Sequence, residues 1–111
     1  MSATGRFDYA GDPALAAGLS TALKRVIDPE MALDVVELGL VYRVEAEARA
    51  TRVRITMTSA ACPVTEHIIE EVGHALRSAR PGVPVDVELV WNPPWSPERM
   101  SAPARSARGW D

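Results

Sequence analysis

Residues 40–58 read LVYRVEAEARATRVRITMT, and this stretch decides the fold because apolar and polar side chains alternate in it twice. One alternating run spans residues 40–47 and the other spans 51–58, with a short connection at Ala48-Arg49-Ala50. Alternation sends successive side chains to opposite faces of a strand, so the two runs predict a β-hairpin with one buried face. In the first run the pattern assigns four side chains to one apolar face: Leu40, Tyr42, Val44 and Ala46.

Helices are predicted on both sides of this hairpin. Asp12-Pro13 starts the first one, because Asp caps free N–H groups and proline is tolerated in the first turn. Its apolar residues recur at helical spacing until Asp28-Pro29 ends it. Cys62-Pro63 starts the second helix in the same way, and Pro81-Gly82 ends that helix.

The rest of the chain predicts a third strand followed by a rigid turn and a short helix. Residues 83–91 alternate cleanly and place Trp91 in the core. Trp95, after two prolines, is expected at the rim or as a cap on the edge of the core. Ser96-Pro97-Glu98 starts the short helix, and Pro103 is expected to break it.

These elements predict an α+β fold, a two-layer sandwich with the order α-β-β-α-β plus a short C-terminal helix. Each strand has one polar face, so both helices are expected on one face of a small sheet. Residues 1–11 are predicted to be a flexible N-terminal arm, 12–103 a single domain, and 104–111 a frayed C-terminal tail.

Composition limits the function classes. The chain has 111 residues, 47% apolar and 24% charged, which is typical of a soluble globular domain. Its net charge of -3 gives no general attraction to nucleic acid or to an anionic membrane. No apolar run suggests a signal peptide or a membrane span, so we expect a cytoplasmic protein.

Cys62 is the first candidate for chemistry, and it is the single cysteine of the chain. One cysteine excludes an internal disulfide and a Cys-rich zinc site within one chain. At the start of a helix a thiol is favoured as thiolate, which is both a nucleophile and a metal ligand. The alternative is a buried cysteine that acts as a small hydrophobic residue.

Three further groups carry weaker signals. Asp28 and Glu30 flank a proline and could bind a metal or serve as a base, although acidic residues beside proline are ordinary in loops. His67 could approach Cys62, but with His74 it more simply belongs to the polar face of the second helix. An enzyme with Cys62 as nucleophile is the weakest alternative, because the sequence shows no oxyanion site and no orienting third group.

Taken together, four motifs resemble the SufT/PaaD-type family of iron–sulfur (metal–sulfur) cluster assembly proteins. Their order and spacing agree over most of the chain, from about the first helix to Met100. The motifs are Asp28-Pro29-Glu30, Val36 to Val44, Thr56 to Pro63, and Val87 to Trp95. Three features depart from the family pattern: Ala32 replaces a proline, Ala60-Ala61 replaces Pro-Gly, and the Cys-rich extension of PaaD proteins is absent.

The resemblance implies a non-enzymatic factor that helps deliver clusters to client metalloproteins together with the assembly machinery. It implies Cys62 as the candidate cluster ligand, Asp28 and Glu30 as the acidic motif facing it, and Thr58 and Ser59 as the preceding hydroxyl residues. One cysteine cannot fill the four ligand positions of a cluster. The cluster is therefore expected to be transient, with ligands shared in a homodimer, with an external thiol or carboxylate, or with a partner.

A second hypothesis is an adaptor that recruits assembly factors or one dedicated metalloenzyme client and binds no metal itself. In that case Trp95 and the neighbouring prolines would form part of the contact surface. An adaptor would tolerate Cys62→Ser but not Trp95→Ala, whereas a cluster carrier would not tolerate Cys62→Ser.

Overall fold

A four-stranded mixed sheet covered by two helices forms the body of the protein in the computed structural model, which describes residues 7–59 and 63–109. The strands are β1 Asp8–Gly11, β2 Ile27–Asp28, β3 Leu33–Asp34, β4 Val41–Ala46, β5 Thr51–Ile55 and β6 Val85–Leu89. The helices are α1 Pro13–Leu23, α2 Thr65–Ala79 and α3 Ala102–Arg108, and a single 3-10 turn spans Pro97–Arg99.

The strand order in the main sheet is β1-β4-β5-β6, and β2 and β3 form a separate two-stranded hairpin. β4 and β5 pair antiparallel, which confirms the hairpin predicted from the alternating runs. β1 is parallel to β4 and β6 is parallel to β5. Each parallel pair needs a long crossover, and α1 and α2 supply helices for these connections.

The two long helices contact each other, and their buried side chains join those of the sheet in one core cluster. The two-layer α+β architecture is therefore confirmed. Asp12 caps α1 as predicted, because its Oδ1 accepts a hydrogen bond of 2.9 Å from the Ala14 N–H. α1 ends at Leu23, earlier than the Asp28-Pro29 stop, and Asp28 lies in β2 instead. In the described residues no helix is long and apolar enough to cross a membrane.

A bulge in β4 changes which side chains face the core. The pairing passes from Val41 with Ile55 to Arg43 with Arg54, so Tyr42 is an extra residue in β4. Val41 is only 2% exposed, whereas Tyr42 is half-buried and donates its hydroxyl to the Pro93 carbonyl at 2.7 Å. The assignment of Tyr42 to the buried face was wrong, because a bulge interrupts the alternation on which it relied.

Both ends of the described chain are more ordered than the sequence suggested. The arm predicted for residues 1–11 ends in a strand, since Asp8–Gly11 pairs with β4 and Phe7 is buried. The tail predicted from residue 104 belongs largely to α3. Pro103 lies in the first turn of α3, where its missing N–H leaves no hydrogen bond unmade, so it starts this helix and breaks none.

Candidate functional site

Described parts of three predicted motifs, near Leu40, Thr56 and Val90, meet at one end of the sheet. β5 and β6 are parallel and finish at this end, where the antiparallel β4 begins. Just past β5, the Thr56 N–H donates to the Leu40 carbonyl at 2.8 Å. The β2–β3 hairpin leads into Leu40, and the chain after Thr56 leads through Thr58 and Ser59 towards α2. The topology therefore brings Leu40 and the segment that follows β5 to the same end of the sheet.

Asp28 has a structural task within the β2–β3 hairpin. Its side chain is 1% exposed, and Oδ1 accepts hydrogen bonds from the N–H groups of Glu30 at 2.9 Å and Met31 at 3.3 Å. Its carbonyl accepts a third, from the Ala32 N–H at 2.7 Å. The carboxylate of Asp28 thus closes the turn, while Glu30 lies exposed next to it.

Two substitutions of Asp28 test its structural task in the turn. We expect Asp28→Ala to lower the free energy of unfolding by about 1 to 2 kcal/mol, because two part-buried hydrogen bonds lose their acceptor. Asp28→Asn keeps an oxygen acceptor at Oδ1 and should lose less than about 1 kcal/mol. Urea unfolding of both variants measures the difference, and equal losses would show that the turn does not depend on this oxygen.

Asp34 closes the second turn of the same segment. Its Oδ1 accepts hydrogen bonds from the N–H groups of Val36 at 3.0 Å and Glu37 at 2.9 Å. Burial raises the pKa of Asp34 above its ordinary value of 3.8, because the loss of water around the carboxylate outweighs these hydrogen bonds. The folded state therefore holds this proton more tightly than the unfolded state does.

This direction fixes a pH-dependent result for Asp34→Asn. A raised folded-state pKa means that stability is highest below pH 3.8 and falls as the carboxyl ionises at higher pH. The amide keeps the Oδ1 acceptor without the charge, so at pH 7 the variant should be more stable than the wild type. Solvent screening of the half-buried group keeps the gain small, on the order of 0.5 kcal/mol. Thermal unfolding at pH 7 and pH 3.5 tests this, and a gain that persists at the lower pH would contradict it.

The remaining predicted residues belong, in the sequence, to the segment between β5 and α2 and to α2 itself. Thr58 is half-buried, Ser59 is exposed, and Cys62 lies outside the described residues. His67 and His74 are exposed on α2, two helical turns apart. Within residues 7–59 and 63–109, no three His, Cys, Asp or Glu side chains are grouped so that they could hold a metal ion.

The start of α2 favours negative charge. Val64, at the N-cap position of this helix, makes no side-chain capping hydrogen bond. The first-turn N–H groups and the helix dipole therefore present a positive end, which Glu66 in the first turn offsets in part. Cys62 precedes the first helical residue, Thr65, by three positions in the sequence.

A C-terminal strap, residues 92–101, crosses this end of the sheet and holds the segment that precedes β4. Ser101 donates its hydroxyl to the Glu37 carboxylate at 2.6 Å and its N–H to the Glu37 carbonyl at 2.9 Å. The Arg99 guanidinium lies over the Tyr42 ring at 4.7 Å from its centroid. Sequence reasoning missed this strap, because its contacts join residues more than 50 positions apart in the sequence.

One of the two tryptophans at the start of the strap departs from its expected position. Trp91 is 46% exposed and was wrongly assigned to the core. Trp95 is half-buried against the core cluster, and its Nε1–H donates to the Leu38 carbonyl at 2.7 Å. Trp91 lies two residues beyond the end of β6, which is an edge strand of the sheet. Alternation predicts the face on which a side chain lies, but it does not predict whether another element covers that face.

Comparison with known proteins places these features in context. Residues 17–89 match the family described as "Iron-sulfur cluster assembly protein". The chain is 40% identical over 99 residues to "Fe-S protein maturation auxiliary factor YitW" of Bacillus subtilis, covering 88% of this chain and 97% of that relative. It is 40% identical over 85 residues to "Fe-S protein maturation auxiliary factor SufT" of Staphylococcus aureus, covering 76% of this chain and 97% of that relative.

A solved structure shows the same fold. The "Domain of Unknown Function DUF59" from Bacillus anthracis superposes with a TM-score of 0.81 at 43% sequence identity. The superposition covers 88% of this chain and 94% of that domain. Sequence and structure therefore agree over nearly the whole described chain.

Proposed function

The chain belongs to the family of iron–sulfur cluster assembly proteins, and on that premise we propose that it assists the maturation of client iron–sulfur proteins, with Cys62 as a transient ligand of the cluster in transit. The observation that carries this proposal is the placement of the single cysteine, three positions before a helix start that no side chain of its N-cap residue caps. Such a position favours the thiolate, the form that binds iron.

We propose transfer, and not storage, because one cysteine cannot supply all the protein ligands of a cluster. Iron–sulfur clusters take four protein ligands, mostly thiolates, and this chain has one cysteine. The remaining ligands come from a second copy, an external thiol or the partner that gives or receives the cluster. An incomplete ligand shell holds the cluster weakly, which suits delivery better than storage.

The neighbouring polar residues have supporting roles in the proposal. Asp28 is committed to the hairpin turn, so it acts on the cargo through its charge and by placing Glu30. Glu30 is exposed next to it and is the carboxylate that can reach the metal. Thr58 and Ser59, on the approach to Cys62, offer hydroxyl donors to cluster sulfur.

Anaerobic reconstitution with iron and sulfide tests the proposal. Wild type, Cys62→Ser and Cys62→Ala are compared, and His67→Ala, in the first turn of α2, serves as the control. We expect absorbance, iron and sulfide content to report a cluster in the wild type and the control, and none in either Cys62 variant. Equal loading of the Cys62 variants, or no loading of the wild type, would overturn the role of Cys62.

The adaptor function remains a second candidate, and the exposed Trp91 favours it. In this alternative the protein recruits assembly factors or clients and binds no metal. Client maturation in cells without the native copy separates the two functions. An adaptor keeps activity in Cys62→Ser and loses it in Trp91→Ala, whereas a carrier loses it in Cys62→Ser. Trp95→Ala cannot serve here, because Trp95 supports the fold.

A further inference from the structure

We propose that the free edge of β6 binds an extended segment of a partner protein as a fifth strand of the sheet, and that this segment alternates apolar with basic side chains. β6 is the last strand in the order β1-β4-β5-β6, and β5 is its one sheet neighbour among the described residues. This surface does not include Cys62, so the inference stands apart from the proposed cluster transfer.

Hydrogen bonds at the two ends of β6 show which backbone groups face outward. The Thr51 N–H donates to the Pro84 carbonyl at 2.9 Å, and the Val90 N–H donates to the Ile55 carbonyl at 2.8 Å. In a parallel pair, every second residue directs both backbone groups to the neighbouring strand. Even-numbered residues of β6 therefore face β5, and the N–H and C=O groups of Val85, Val87 and Leu89 point away from it.

This edge lacks two of the devices that usually prevent strand addition, a bulge and a proline, and its protection rests on the charges of Asp86 and Glu88. β6 is in continuous register with β5 over five residue pairs, from Val85 to Leu89, with no bulge. It contains neither proline nor lysine, the residues that commonly block an edge. A regular edge with three outward donors and three outward acceptors matches the requirement for β-strand addition.

The side chains of β6 specify the chemistry of the incoming strand. Val85, Val87 and Leu89 are half-buried on the helix side of the sheet, and an added strand with apolar residues there would extend this surface. On the open side, Asp86 and Glu88 are exposed. Glu88 already pairs with Arg54, and Arg52, opposite Asp86 in register, lies 3.5 Å from the Glu47 carboxylate. Opposite charges on neighbouring strands attract, so a basic residue of an added strand is favoured beside Asp86.

The same charges disfavour a second copy as the occupant. Antiparallel pairing of two β6 strands about Val87 would place Asp86 of one copy opposite Glu88 of the other, twice. Like charges directly opposite each other destabilise a strand pair. The Arg54–Glu88 ion pair, at 3.1 Å between Nε and Oε1, lies on the exposed open face and leaves Asp86 beside the free edge.

Peptide binding tests the inference. The probe is a fluorescently labelled nine-residue peptide of alternating arginine and valine, and its control has the same composition in two blocks. We expect anisotropy to show binding of the alternating peptide alone. Asp86→Lys should weaken this binding about tenfold, because an attraction becomes a repulsion. Glu71→Lys, the same charge change on the exposed face of α2, should bind as the wild type does.

Backbone hydrogen exchange followed by NMR locates the peptide. In the free protein the amides of Val85, Val87 and Leu89 should exchange quickly, those of Asp86 and Glu88 slowly, and the peptide should slow the first three. Val87→Pro removes an outward N–H without removing a bond to β5, so binding should be lost while the thermal transition is kept.

Three results would overturn the inference. Equal binding of the block peptide would show general electrostatic attraction. Slowing of other amides would place the peptide elsewhere. Protection of the three outward amides that rises with protein concentration alone would identify a second copy as the occupant. Cys62→Ser should bind the peptide like the wild type, which separates a failure here from a failure of the proposed cluster transfer.

Discussion

Gly39→Ala is expected to lower the free energy of unfolding by about 3 kcal/mol or more, a large loss for a substitution that adds one methyl group. Gly39 has φ +77, a conformation that costs an L residue about 1 to 2 kcal/mol. A Cβ there would also meet the Arg99 backbone, with the carbonyl carbon at 2.7 Å. Backbone atoms cannot rotate away as a side chain does, so the strap would have to move.

Two matched glycine variants separate the conformational cost from the steric one. Gly82 has φ +92 and no atom within 4 Å of its Cβ position, so Gly82→Ala should show the conformational cost alone, about 1 kcal/mol. Gly18 lies in α1 with equally open space, and Gly18→Ala should stabilise the protein by about 0.5 to 1 kcal/mol. Denaturant unfolding of all three measures this order. A loss for Gly39→Ala no larger than that for Gly82→Ala would show that the strap gives way.

The second large effect is expected for Trp95→Ala, with a loss of about 3 kcal/mol in unfolding free energy. The half-buried indole packs on the core cluster, and its Nε1–H satisfies the Leu38 carbonyl at 2.7 Å. Removing it leaves a gap under the strap and an unpaired carbonyl. Trp95→Phe keeps most of the packing and should lose about 1 kcal/mol, the usual contribution of one hydrogen bond.

Trp91→Ala is the control for Trp95, because it deletes the same side chain at an exposed position. We expect a change within about 0.5 kcal/mol, as for other surface substitutions. Thermal unfolding of the three tryptophan variants under one buffer gives the comparison. If Trp91→Ala proved as destabilising as Trp95→Ala, the strand-based assignment of Trp91 to the core would be right after all.

Much of this fold follows from the sequence because it rests on local rules. The alternation in residues 40–58 determines the β4–β5 hairpin, and helical spacing determines that α1 and α2 exist. The proline signals bound these helices too widely: α1 ends at Leu23 before Asp28-Pro29, and α2 starts at Thr65 after Cys62-Pro63. Four motifs in the right order identify the family from the sequence. The same motifs single out Cys62 and the acidic residues Asp28 and Glu30, whose roles in cluster transfer we propose above.

Other features were decided by the tertiary structure, because they depend on residues far apart in the chain. The bulge at Tyr42 shifts one face of β4, and no local pattern marks it. Asp28 is a buried turn acceptor, a role that the sequence next to a proline favours but that its motif alone does not separate from a ligand role.

The strap shows the limit of sequence reasoning most clearly. Trp91 and Trp95 stand four residues apart in one proline-rich segment, and local periodicity assigns Trp91 to the core, although it is exposed and Trp95 is the one that packs against the core cluster. Their burial depends on where the strap crosses the sheet, which is set by contacts with Glu37, Leu38 and Tyr42. Periodicity reports the faces of one element, whereas burial depends on which other elements cover those faces. That information exists only once the chain has folded.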